Sequence, residues 1–315
     1  MRSTFWTTVI AAALLAPAHA IFAQAFPAKM VRIVIPFPVG GSSDANARII
    51  GPYLSERWKQ QVIVEPRPGA ATVVGTDYVA KSPPDGHILM INSTQFVQSP
   101  ATFAKLPYDP YTDIVPITRI TISPQAIVAH PSLPVKNIKE LVALARAHPG
   151  ELDMGTAGTV LPSHYFFMLA KVRMEIVPYK GAGPLMIDAM GGHVPLAIGA
   201  VSSVQAAVRS GRVRMLGVTS PSPAFPEVPN ISQDVPGFDA DTWFALFAPR
   251  GTPRDLVMRI RDDIVAVLQI PDVKQRLLDI GGNPSGEPPD EFATRVRADI
   301  DKWKKVAAAA GIKPQ

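Results

Sequence analysis

The chain has 315 residues, 47% of them hydrophobic, a formal charge of +5 and no cysteine. A chain this long buries a core of its own, and it does so without disulfides. Its basic residues form no long cluster: the densest runs, Arg209–Arg214 and Lys302–Lys305, read as solvated faces, so nucleic acid is not expected as a partner.

The first 25 residues read as an export signal. Arg2 is followed by an apolar stretch from Phe5 to Leu15 and by two small-x-small patterns, Ala18-His19-Ala20 and Ala23-Gln24-Ala25. Cleavage after Ala25 would leave Phe26 as the mature start. The apolar core is shorter than the ~20 residues that a membrane span needs. An exported chain without cysteine suits a bacterial periplasm.

Val31–Ile35 is the first strand-like run. It breaks at Pro36 into a loop, Phe37 to Asp44, that holds Val39, Gly40, Gly41, Ser42 and Ser43, and Ala47, Ile50 and Leu54 then repeat at helical spacing. A glycine turn that opens a helix presents unpaired N–H groups and a partial positive charge, which suits a carboxylate or phosphate. Ser42 or Ser43 would cap that helix. The loop lacks the lysine of a P-loop and the third glycine of a dinucleotide fingerprint.

Further strand-like runs are Val62–Glu65, His87–Asn92, Gln125–Ala129, Glu175–Val177, Val194–Ile198 and Met215–Thr219. Helical patterns lie between them. Asn137 with Glu140 resembles a capping box before Ile138–Ala147, and Val257, Ile260, Ile264 and Leu268 trace one face. This alternation predicts an α/β fold with largely parallel sheets. Thr118–Ala129 and Asp241–Pro249 read as extended crossings between two lobes. A second glycine- and hydroxyl-rich loop runs from Gly155 through Thr156, Ala157 and Thr159 to a helix beginning near Ser163 and His164. Ligands in open α/β sheets bind beyond the carboxyl ends of strands, where both loops would lie.

Enzyme readings find little support. Ser163 and His164 are adjacent, which splays the two side chains apart on a helix, and there is no G-x-S-x-G elbow. No histidines stand at H-E-x-x-H spacing. Neither a metal nor a cofactor is expected. Tyr179 and Lys180 read equally as ligand contacts and as an ordinary loop. Trp243, Phe244 and Phe247 read as hinge or core aromatics.

Eight segments in order, "FPAKMVRIVIPFPVGGSSDANAR", "VIVEPRPGAATVVGTDYVAKSPPDGHILM", "LPYDPYTDIVPIT", "GTAGTVLPSHYF", "VPYKGAGPLMIDAMGGHV", "VTSPSPAFPEVPNISQ", "WFALFAPRGTP" and "GGNPSGEPPDEF" with a later "KW", resemble the Bug family of periplasmic solute-binding proteins, receptors of tripartite tricarboxylate transporters. The resemblance implies a two-lobed type II periplasmic-binding fold, the "Venus flytrap". Residues 26–124 and 243–315 would form lobe one and residues 125–242 lobe two, after a signal peptide at 1–25. It implies a monomer that holds a small carboxylate through backbone N–H groups and water and hands it to membrane subunits of the transporter. A sensor protein as partner is the alternative, and a secreted hydrolase using Ser163 a more distant one. The matching contacts are Phe37 to Asp44, then Ser93, Thr94 and Gln95, then Gly155 to His164, and Ser202 and Ser203. Two departures stand out. Ala71 and Thr72 replace a glycine run, and Pro195 to Val201 lacks the family's acidic or amide residues, which points to a more apolar pocket and away from amino acids.

Overall fold

The computed structural model describes residues 26–314. The export signal expected at residues 1–25 lies outside the described residues. Strand β1 (Val31–Ile35) is buried on both faces, which explains its nearly unbroken apolar run. After it come α1 (Ser42–Trp58), β2 (Val62–Pro66), α2 (Val73–Ala80), β3 (Ile88–Ser93), α3 (Gln95–Thr102) and β4 (Ile114–Ser123). The second unit comprises β5 (Gln125–Ala129), α4 (Ile138–Ala147), β6 (Asp153–Ala157), α5 (Leu161–Ala170), β7 (Glu175–Tyr179), α6 (Ala182–Gly191), β8 (Leu196–Ala200), α7 (Val201–Arg209) and β9 (Arg214–Val218). The chain ends with β10 (Thr242–Pro249), α8 (Arg254–Leu268), α9 (Pro271–Asp279), β11 (Asn283–Pro284) and α10 (Pro289–Ala309).

Two sheets result. One has the order β11-β4-β10-β3-β1-β2, the other β7-β6-β8-β5-β9. The expectation of largely parallel sheets is not met. Only β1–β2, β1–β3, β6–β7 and β6–β8 pair in parallel, and every pairing that involves β4, β5 or β10 is antiparallel. The cause is the crossing itself. Ordinary βαβ units run their strands toward one edge of the sheet, whereas β5 and β10 enter from that edge, out of the other lobe, and so run backwards.

Local signals placed most helices well. Ala47, Ile50 and Leu54 are fully buried, as are Ile260 and Ile264. Asn137 accepts the Glu140 N–H at 2.8 Å, while the Glu140 carboxylate reaches back to the Lys136 N–H at 2.7 Å. The expected serine cap of α1 is a correction: the cap is Gly41, with no side-chain bond, and Ser42 and Ser43 lie within the first turn. Asp44, at the third helical position, reaches back to accept the Gly40 N–H at 3.0 Å, just outside the helix.

One apolar cluster, containing Phe96, Phe247 and Trp303 with Phe166 and Phe238, runs through both units. Helix α10 carries it across. Trp303 meets Tyr165 of α5 edge-on at 5.7 Å, and Phe292 meets Trp243 and Phe247 of β10 at 5.5 and 5.4 Å.

Candidate functional site

Strand register brings the two sheet edges together. At the end of β3, Ser93 pairs with Phe244. Two residues back along β10, Thr242 pairs with Ser123, the last residue of β4. Only Pro124 separates Ser123 from Gln125, and Gln125 pairs with Ala200 at the end of β8. The carboxyl ends of β3 and β8 therefore meet at one hinge. The loop after β1 lies beside β3 and the loop after β6 beside β8, so four strand-to-helix turns converge on the space between lobes. The Gln125 amide donates to the Thr242 hydroxyl at 2.7 Å, and Thr219 Oγ1 accepts the Gln125 N–H at 2.7 Å, which ties the outgoing strand to the returning one. Asp241 accepts from the Thr219 hydroxyl. Burial raises the carboxyl pKa of Asp241, against the hydroxyl bonds from Thr219 and Ser220, which lower it.

In lobe one, Phe37, Pro38, Val39, Gly41, Ser42, Ser43, Ser93 and Phe244 enclose a cavity of 390 Å³. Val39, Gly40, Gly41 and Ser42 are exposed, Phe37 is half-buried, and Ser43 and Asp44 are buried. The first intrahelical bond of α1 runs from the Ala45 N–H to the Gly41 carbonyl. The N–H groups of Ser42 and Ser43 consequently have no acceptor in the helix and remain available to an anion. Asp44, beside this turn, is ion-paired. The Arg48 guanidinium, 2.9 Å away, holds its carboxyl below the usual range, and the Gly40 N–H adds a further bond. Gly40 adopts φ +88°, the left-handed region that favours glycine. Thr94 is buried at the head of α3, Gln95 is half-buried, and the Ser93 hydroxyl accepts the Gln95 N–H at 3.2 Å.

In lobe two, Gly155 and Thr156 lie buried in β6, and Ala157 and Thr159 are half-buried. Gly155 is a packing position: a Cβ there would meet Leu185 Cδ1 at 2.3 Å. The turn itself is made at Gly158, with φ +86° and open space around it. Helix α5 begins at Leu161, two residues ahead of the expected Ser163. Ser163 is fully buried and its hydroxyl has no hydrogen-bond partner, so no base activates it as a nucleophile. His164 is half-buried with its ring edge-on to Phe167 at 6.1 Å, and burial lowers its pKa, which favours the neutral imidazole. Ser203 is exposed, whereas Ser202 borders a different hollow of 380 Å³ beside the hinge, shared with Pro124, Gln205 and Gly281.

Some assignments differ from the sequence reading. Trp243, read as a hinge or core aromatic, is core, with its indole N–H on Asp299 at 3.3 Å. Phe244, its neighbour, turns to the cavity instead. Alternation along β10 carries that signal, but it requires knowing which face of the strand meets the core. The Tyr179 hydroxyl is committed to Asp188 at 2.7 Å and its pKa is pushed up to about 12 by burial, together with that carboxylate. Among the described residues, no cluster of His, Asp and Glu could hold a metal ion, and no helix is long and apolar enough to cross a membrane.

Two α/β lobes joined by crossing strands, with helix N-termini converging on the crevice between them, define a solute-binding protein of the two-lobed periplasmic type. The chain belongs to the tripartite tricarboxylate transporter family of receptors, whose family model matches residues 46–312. It is 31% identical to the protein BugT of Bordetella pertussis over 93% of both chains. Two solved structures resemble it closely. An R. palustris protein with adipate is 32% identical, with TM-score 0.74 over 92% of this chain and 100% of that one. MatC from Rhodopseudomonas palustris, with bound malate, is 29% identical, with TM-score 0.71 over 90% and 100%. The family is one of binding proteins, and the chain is a solute-binding receptor.

Proposed function

We propose that the protein captures a small carboxylate between its lobes in the periplasm and delivers it, unchanged, to the membrane subunits of a tripartite tricarboxylate transporter. Lobe one is formed by residues 26–124 and 243–315 and lobe two by residues 125–242, and an N-terminal signal directs export. The observation that carries this reading is the open head of α1, where unpaired N–H groups of Ser42 and Ser43 border a cavity with no catalytic pair beside it. The adipate and malate held by relatives support the ligand class.

Phe37 to Asp44 and Ser93 to Gln95 contribute from lobe one, and Gly155 to His164 with Ser202 and Ser203 from lobe two. Within these segments the exposed backbone meets the ligand, while Asp44 and Gly155 hold its shape. Closure brings the two edges onto the carboxylate and removes water from it, and the ligand's better contacts in the closed form select that form.

Isothermal titration and thermal melting of the mature protein with a panel of mono- and dicarboxylates test the reading. At a hundredfold excess over Kd a bound ligand adds about 2.7 kcal/mol of stability. Mass spectrometry should recover the ligand intact. No response to any carboxylate, or turnover of the ligand, would refute the proposal.

A further inference from the structure

We propose that the hollow beside the hinge is a second binding site, separate from the carboxylate crevice, and that it takes a small oxyanion of the size of phosphate or sulfate.

Its position comes first. The hollow of 380 Å³ draws its walls from both lobes. Gln205 and Arg209 of α7 and Ser222 beyond β9 form one side, Gln275 and Asp279 of α9 and Asn283 of β11 the other, with Pro124 of the hinge between them. In the sheets, β11 is separated from β3 by β4 and β10, and β9 is separated from β8 by β5. The crevice opens at the ends of β3 and β8, so the hollow lies across the connecting strands from it. The lobes touch beside the hollow: a Cβ at Gly281 would meet the Ser202 Cβ at 2.3 Å.

Its chemistry comes second. Ser222 is only 5% exposed, yet its hydroxyl bonds to no described residue. A buried hydroxyl ordinarily has a partner, so this one points to an occupant. Arg209 makes no ion pair among the described residues, and its guanidinium lies 5.7 Å over the Phe225 ring, which steadies it at the rim. Gln205, four residues earlier, shares its face of α7. The amides of Gln205 and Asn283 also have no partner among the described residues. Asp279 is the one acid of the lining. It is exposed on the lobe-one wall, and its carboxylate already accepts the Gln275 amide at 2.8 Å. A guanidinium, a buried hydroxyl and two amides around one space suit an oxyanion, to which Arg offers paired N–H groups. Because the donors come from both lobes, the occupant bridges them.

Titration calorimetry of the mature protein with sodium phosphate and sodium sulfate, against sodium chloride at equal ionic strength, tests the proposal. One equivalent of phosphate or sulfate should bind with a Kd below about 1 mM. Arg209→Gln should weaken that binding about ten- to a hundredfold and Ser222→Ala about three- to tenfold, the scales of a charge-assisted and a neutral hydrogen bond. Neither change should lower the melting temperature of the anion-free protein, since Arg209 is exposed and the Ser222 hydroxyl has no partner to lose. Gly41→Val, which obstructs the crevice, should leave phosphate and sulfate affinity unchanged. The reverse pattern, with binding lost in Gly41→Val and kept in Arg209→Gln, would place the anion in the crevice and overturn the proposal while leaving carboxylate capture standing. Full affinity in both Arg209→Gln and Ser222→Ala would overturn it as well. Binding of neither anion would show that the hollow holds only water, and the proposal falls.

Discussion

The backbone does not require a glycine at position 41. Its φ of −81° is open to any residue, and a Cβ there would stand 3.7 Å from the Pro38 carbonyl oxygen, an ordinary contact. Gly41→Val should therefore fold normally. It should lose carboxylate affinity by about ten- to a hundredfold, the scale of overfilling a close-packed site, with the melting temperature held. Thr72 shows the opposite situation. It has φ +84° after Ala70 and Ala71, also at positive φ, and its buried hydroxyl has no partner. Left-handed backbone costs an L residue roughly 1–2 kcal/mol, and an unsatisfied hydroxyl adds to that. Thr72→Gly should raise stability by about 1 kcal/mol after glycine's own entropic cost, readable by urea denaturation. Asp241 yields a pH prediction. Burial raises its folded pKa, so the folded state holds the proton more tightly than the unfolded chain does. The benefit is present at acid pH and is lost as pH rises through the folded pKa. Asp241→Asn keeps an oxygen for the Thr219 hydroxyl and should be more stable than the parent at pH 7, the gap narrowing toward about pH 4.

Among the elements, α10 does the most to hold the lobes to one core. Its Phe292 and Trp303 are almost fully buried, and they meet β10 of one unit and α5 of the other. The head of α5 begins the proposed lobe-two contact, and Tyr165 in the middle of the helix meets Trp303 of α10. Trp303→Ala should cost about 3–5 kcal/mol, as large core deletions do. A single cooperative transition should remain in the variant, because the cluster spans both units. Two separate transitions would show that each lobe keeps a core of its own. The α4 cap is the local counterpart. The Asn137 cap is legible locally because both bonds fall within residues 136–140.

At the scale of the whole molecule, the register Phe244–Ser93, Thr242–Ser123 and Gln125–Ala200 makes the hinge a continuation of both sheets. Such a hinge bends at few places, chiefly Pro124 and the Asp241–Thr242 return. A saturating carboxylate should lower the radius of gyration measured by small-angle scattering, and Gly41→Val should abolish that change. Scattering that is identical with and without a bound ligand would show that capture needs no closure.

Periodicity alone determined that strands and helices alternate, that α1 and α8 each bury one face, and that two glycine turns open helices. All of these depend on neighbours within about a dozen residues, so the order of residue types suffices. Glycine at 40 is legible for the same reason, since its φ is a local property. Tertiary structure decided the rest. The sheets are mixed because strands return from the opposite lobe, and they pair with residues far along the chain, as Ser93 with Phe244 and Gln125 with Ala200, which no local pattern records. The N–H groups of Ser42 and Ser43 are left uncapped because the cap residue is Gly41, which has no side chain to accept them. Phe244 faces the cavity while Trp243 enters the core because α10, some fifty residues further on, covers one face of β10 and leaves the other to the crevice. A side chain's type states what it is able to bind; only the packing of distant segments determines whether it is free to do so.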